Sequence, residues 1–216
     1  MLDLESANFR IFENGNQQAI RYFGQDDTPV SVGLLVDSSG SMRGKGKKAA
    51  EAAAAFFQMA NSDDEFFLIK FDESPRLITP FTSDTEELYR EISHTRPFGR
   101  TSLYDAVNLA LDVMKRARHQ RRALVILSDG GDNRSRRSFS TIKSRAAETG
   151  IPIYSMGIFN PLEQRSQDED EKDGPMVLDQ LASLTGGRHF PVQIADLPAN
   201  QLAVGTITSQ PIFAGI

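Results

Sequence analysis

Apolar runs long enough for buried strands recur along this chain, and each is followed by a stretch with helical patterning. Val32-Gly33-Leu34-Leu35-Val36, Phe66 to Phe71, Ala123 to Leu127 and Ile151 to Ile158 are near-continuous in apolar residues, the pattern of parallel strands covered on both faces. The alanine-rich segment Ala49 to Met59 reads as a helix, as do Asp84 to Ile92, Ser102 to Arg118, Ser138 to Thr149 and Met176 to Leu184. Gly150 closes the fourth of these, as glycine commonly does at a helix C-terminus. Leu77-Ile78 and Arg188-His189-Phe190 are short extended pieces, and a last helix is expected over Ile194 to Ile207. Strands alternating with helices imply βαβ units. The expected class is α/β, with a doubly wound, Rossmann-like, mostly parallel central sheet flanked by helices on both faces.

The first 28 residues are patterned differently. Phe9-Arg10-Ile11-Phe12 and Ala19-Ile20-Arg21-Tyr22-Phe23 alternate like strands around an Asn14-Gly15 pair, a strong hairpin signal. At roughly 150 residues per domain, 216 residues suggest one large domain. The expected division is a β-hairpin extension over 1–28, a domain over 29–210 and a tail over 211–216. Ser166 to Asp173 is an acidic run between a strand and a helix, read as a solvated loop.

Composition narrows the chemistry. The chain has no cysteine and three histidines, His94, His119 and His189. That excludes disulfides, a thiol nucleophile and thiolate metal sites, so any metal is expected to be a hard cation held by oxygen. Lys and Arg number 24 against 29 Asp and Glu, a formal charge of −5, which argues against general coating of nucleic acid. No segment approaches the roughly 18 apolar residues of a membrane span. Met1-Leu2-Asp3-Leu4-Glu5 lacks the basic and apolar regions of a signal peptide.

The stretch richest in chemistry is Val36-Asp37-Ser38-Ser39-Gly40-Ser41-Met42, at the C-terminal end of the first central strand. Doubly wound sheets bind ligands at that edge. Asp37, Ser39 and Ser41 offer a carboxylate and two hydroxyls, and Gly40 permits a tight turn between them. Mg²⁺ favours such an oxygen cage and usually keeps some water. Two more loops leave the same edge. Phe98-Gly99-Arg100-Thr101-Ser102 offers the Thr101 hydroxyl, and Ser128-Asp129-Gly130-Gly131-Asp132-Asn133 presents Asp129. The alternative for Asp37 and Ser41 is that they cap the following helix.

In these residues the chain resembles the von Willebrand factor type A domain with a metal-ion-dependent adhesion site, whose pattern is Asp-x-Ser-x-Ser, then a Thr in a loop, then an Asp after a later strand. The resemblance covers about residues 30–208. More narrowly, the chain is similar to bacterial von Willebrand factor A-related proteins common in acidobacteria, where a segment like Asn8 to Gly15 precedes the domain. There it follows a further N-terminal stretch, so a fragment of a longer protein is expected.

The resemblance implies that Ser39, Ser41 and Thr101 ligate a divalent cation, Mg²⁺ or else Mn²⁺ or Ca²⁺, with Asp37 and Asp129 bound directly or through water. An Asp or Glu side chain of a partner protein would take an open position. Arg100, Met42 and Asp132 are candidate ligand contacts, and Ser38, Gly40, Ser102 and Gly130 candidate turn or supporting residues. Arg100 is bulkier than the glycine common there in relatives. The implied role is protein binding and adhesion without catalysis, in an exported or cell-envelope bacterial protein.

The rival readings are enzymes using Asp37 at the same edge, a nucleotide-binding enzyme or a metal-dependent hydrolase. Gly44-Lys45-Gly46-Lys47-Lys48-Ala49 fits Gly-x-Gly-x-x-Ala, but six residues separate it from Asp37, and Ser41 and Lys48 break a Walker loop. A phosphatase of the Asp-x-Asp kind would need its acid where Ser39 stands. No Gly-x-Ser-x-Gly surrounds Ser39 or Ser41, and no general base is evident. Finally, Lys115 to Arg145 holds ten basic and two acidic residues, hence +8. That stretch is either a helix face with loops or a docking surface for an acidic partner. Nucleic acid is disfavoured, because no aromatics interleave with the arginines.

Overall fold

The computed structural model describes residues 8–13, 15–20, 28–159 and 173–193. At the N-terminus, β1 (Ile11–Glu13) and β2 (Asn16–Gln18) form a two-stranded antiparallel sheet. Glu13 pairs with Asn16, so the chain reverses between them, where the sequence suggests a hairpin turn. The second strand is the nearer polar segment Asn16-Gln17-Gln18; of the expected run, Ala19 and Ile20 are not in a strand and residues 21–23 lie outside the described residues. A two-residue loop fixes the register at its own ends, and that overrides the apolar pattern further along.

The main sheet comprises β3 (Val30–Asp37), β4 (Glu65–Phe71), β5 (Pro75–Thr82), β6 (Arg121–Ser128), β7 (Ile153–Phe159) and β8 (His189–Gln193). Their order is β5-β4-β3-β6-β7-β8. Only β5 runs antiparallel to its neighbour, which confirms the mostly parallel α/β sheet. The helices are α1 (Gly46–Phe57), α2 (Thr85–Ser93), α3 (Leu103–Met114), α4 (Phe139–Thr149) and α5 (Gly174–Leu184).

Alternate strand residues feed two cores, one on each face. Leu35, Phe67, Ile69, Leu124, Ile126 and Ile153 pack with α3, α4 and α5. Leu34, Val36, Phe66, Leu68, Val125 and Leu127 pack with α1 and α2. This two-sided burial is why the central strands read as continuous apolar runs. β5 is the exception. The expected short piece at Leu77-Ile78 is an eight-residue edge strand, mostly part-exposed, with Pro75 and Pro80 placed where an edge tolerates them.

Helix α2 is mean-polar and depends on its ends. The Asp84 carboxylate accepts the Glu87 N–H at 2.9 Å, with Glu86 and Glu87 in the first turn facing the positive helix terminus. Asp84→Ala is expected to lower stability by about 1 kcal/mol in urea melts. The acidic run at 166–172 and the helix expected over 194–207 lie outside the described residues, as does the C-terminal tail.

The basic stretch from Lys115 to Arg145 does not form one surface. Lys115 to Arg118 precede β6, which itself begins at Arg121 and Arg122, and Arg134 to Arg137 follow its far end. The eight residues of β6 hold the two groups roughly 23 Å apart. Much of the charge is also answered locally. Arg137 pairs with Asp105 at 3.1 Å, and Arg145 and Lys115 both meet Asp112, whose carboxyl these hydrogen bonds hold below its usual value.

Candidate functional site

β3 and β6 are adjacent, and the register pairing Val36 with Leu127 sets Asp37 beside Ser128. The Ser128 hydroxyl donates to Asp37 Oδ2 at 2.5 Å, and the Ser39 N–H donates to Asp37 Oδ1 at 2.8 Å. Ser128 also accepts the Gly130 N–H at 2.9 Å. Asp37, Ser39, Thr101, Ser128 and Asp129 are all buried, whereas Ser41 is part-exposed. Burial, and then the charge of Asp129, push the Asp37 carboxyl up to about 7. The hydrogen bonds from Ser128 and Ser39 only partly offset this.

The Ser39 and Ser41 hydroxyl oxygens lie 3.0 Å apart. Adjacent ligands on an octahedral Mg²⁺ are about 3.0 Å apart, given metal–oxygen distances near 2.1 Å. Asp129 Oδ1 is buried and accepts no hydrogen bond. Buried carboxylate oxygens are ordinarily satisfied, so this one has capacity for a cation. The alternative that Asp37 and Ser41 cap a helix fails, because neither the 3₁₀ turn Gly40–Met42 nor α1 has a side-chain cap.

Backbone ties hold the three loops together. The Gly40 N–H donates to Gly99 O at 2.8 Å and the Phe98 N–H to Ser38 O at 2.8 Å. A Cβ at Gly40 would stand 3.1 Å from Gly99 O, so glycine here admits the second loop as well as a turn. Thr101 is clamped by the third loop. Its N–H donates to Asn133 Oδ1 at 3.0 Å, and its carbonyl accepts the Asn133 and Arg134 N–H groups. The Ser38 hydroxyl donates to Phe71 O, and the Ser102 hydroxyl to Asp72 O. Both therefore brace the sheet edge.

Of the three candidate ligand contacts, Met42 must be withdrawn. It is 1% exposed and packs with Ala49 and Ile158, because the 3₁₀ turn rolls its apolar side chain under α1. Asp132 is engaged at the start of α3, where it accepts the Tyr104 N–H and the Ser135 hydroxyl; burial raises its carboxyl. Arg100 is exposed. Among the described residues no three of His, Cys, Asp and Glu cluster to hold a metal, so any cation here depends on the hydroxyls.

The sequence did not mark two residues that shape this site. Ser128 is one, signalled only as a serine ending an apolar strand level with Asp37. Lys45 is the other. It immediately precedes α1, its side chain is 1% exposed, and its Nζ lies 2.9 Å from Asp129 Oδ2.

With this sheet order and loop set established, comparison with known proteins is decisive. Residues 32–131 match the von Willebrand factor type A domain family. Over that stretch the chain matches a von Willebrand factor type A domain. A 112-residue stretch is 26% identical to minor fimbrium subunit Mfa5 of Porphyromonas gingivalis, covering 47% of this chain and 9% of that protein. The chain thus spans less than a tenth of that relative. The fold is also similar to that of the conserved hypothetical protein BatB from Bacteroides thetaiotaomicron, with TM-score 0.62, 20% identity, and coverage of 77% of this chain and 91% of that one. The vWF domain of the type V pili tip protein Mfa5 is similar at TM-score 0.60 and 14% identity, covering 78% of this chain and 91% of that domain.

Proposed function

We propose that this domain is a protein-binding module whose metal-ion-dependent adhesion site holds Mg²⁺, with Mn²⁺ or Ca²⁺ as substitutes, and captures an Asp or Glu side chain of a partner protein. The carrying observation is the Asp129 Oδ1 oxygen, buried without a hydrogen bond in a site that also buries Asp37. Ser39, Ser41 and Thr101 would supply neutral oxygens, and Asp37 and Asp129 the negative charge. When bound, the cation supplies Lewis acidity toward a carboxylate. Two carboxylates balance a divalent charge, and neutral hydroxyls leave the cation attractive to a further anion. Within the domain, Ser128 and the Ser39 N–H orient Asp37, and the Asn133 clamp positions Thr101.

Adhesive function is supported by the likeness to a fimbrium subunit and a pilus tip protein. Placement at the cell envelope is supported by these and by the fold shared with an aerotolerance-related membrane protein from Bacteroides fragilis. Among the described residues no helix is long and apolar enough to cross a membrane.

Isothermal titration with Mg²⁺ and Mn²⁺ tests the site. Saturable binding is expected for the native chain and none for Asp37→Ala, with folding checked by circular dichroism. Unchanged binding in that variant would refute the assignment. A pull-down from native extract, with and without EDTA, then reads the partner.

A further inference from the structure

Three neighbouring lysines differ sharply in placement. Lys47 and Lys48 project from α1 toward Glu51, with side chains 70% and 35% exposed. Lys45 turns inward, and its side chain is 1% exposed. Lysine is almost never fully buried unless paired, and fixing its long side chain forfeits roughly 2 kcal/mol of rotamer entropy. The contact spans 84 residues of sequence. It places a positive charge on one of the two carboxylates of the adhesion site.

We infer that the Lys45 ammonium neutralises Asp129 from within, on the carboxylate oxygen opposite the one left for a cation, and so competes electrostatically with a divalent cation for that carboxylate. The inference rests on the adhesion-site reading above. Like charge makes the two cations rivals. A divalent cation on Asp129 Oδ1 would share one carboxylate with the ammonium on Oδ2, and two positive charges held that close in a buried place repel. The competition is therefore through charge and not through a shared seat, because Lys45 engages Oδ2 while Oδ1 accepts nothing. Lys45 therefore keeps the loops assembled in the absence of the cation, and sets how much free cation is needed to load the site.

The experiment compares the native chain with Lys45→Met, which keeps the aliphatic stem and removes the charge, and Lys45→Gln, which keeps a hydrogen-bond donor for Asp129. Titration calorimetry gives the Kd for Mg²⁺, and thermal melting in EDTA and in Mg²⁺ gives the stability of each state. Both variants are expected to bind Mg²⁺ at least about tenfold more tightly than the native chain, a change of about 1.4 kcal/mol. Both are expected to melt lower in EDTA, and to gain more from added Mg²⁺. Binding by the variants alone supports the inference equally. Equal Kd in all three chains overturns it and leaves the adhesion site standing; weaker binding by the variants overturns it by making Lys45 a support of the metal. No binding by any chain overturns the adhesion-site reading, and the competition with it. If Lys45→Met fails to fold in EDTA, Lys45→Gln carries the comparison.

Discussion

Gly130→Ala is expected to lower the stability of this domain by about 3 kcal/mol or more, read as a fall in the urea midpoint at unchanged m. Two effects combine. Gly130 has φ +85°, where a Cβ costs roughly 1–2 kcal/mol. The added Cβ would also lie 2.3 Å from the carbonyl oxygen of Gly174. That neighbour is backbone at the start of α5, so relief requires moving a helix against the sheet, which costs roughly 1–3 kcal/mol. Gly150→Ala provides the control. Gly150 also has positive φ, but nothing lies within 4 Å of its Cβ position, so only the conformational part, roughly 1–2 kcal/mol, is expected. Equal losses at the two positions would show that the approach to Gly174 is unimportant. Because Gly130 is bonded to Ser128, and Ser128 to Asp37, Gly130→Ala should also weaken cation binding, and Gly150→Ala should not.

The second large effect is at the centre of the sheet. Phe67 is fully buried and meets Phe81 edge to face with ring centroids 5.0 Å apart. Its ring covers Gly33, where a Cβ would stand 2.2 Å from the Phe67 ring and 2.7 Å from Leu124. Phe67→Ala is expected to remove about 3–5 kcal/mol. Gly33→Ala overfills the same space and loses about 1–3 kcal/mol. Because the two positions share one volume, Gly33→Ala combined with Phe67→Leu should lose less than the two single changes together, by about 0.5 kcal/mol or more. Strict additivity in urea melts would contradict this packing.

Much of this was legible in the sequence wherever one physical requirement dominated. β3 and β6 are buried on both faces, so their apolar runs could be read without ambiguity. Asp37, Ser39, Ser41, Thr101 and Asp129 stand at strand ends or before a helix, where the βαβ order brings the loops to one edge. The misreadings arose where tertiary neighbours decided. The second hairpin strand is set by turn register, β5 by its place at the sheet edge, and Met42 by its packing against Ala49 and Ile158. Lys45 was the least legible. In a basic, glycine-containing stretch it looks like a solvent-exposed lysine or part of a phosphate loop. Only the fold, by bringing β6 beside β3, reveals the carboxylate that draws it inward.

The cross-ties among the three loops carry an energetic consequence for recognition. Gly40 is bonded to Gly99, Thr101 to Asn133 and Arg134, and Asp37 to Ser128, so no loop can shift without breaking bonds to another. A partner docking here meets a surface whose main chain is already ordered. Under the function proposed above, little of a partner's interaction energy would be lost to immobilising loops, and even a small contact area would give a long-lived complex.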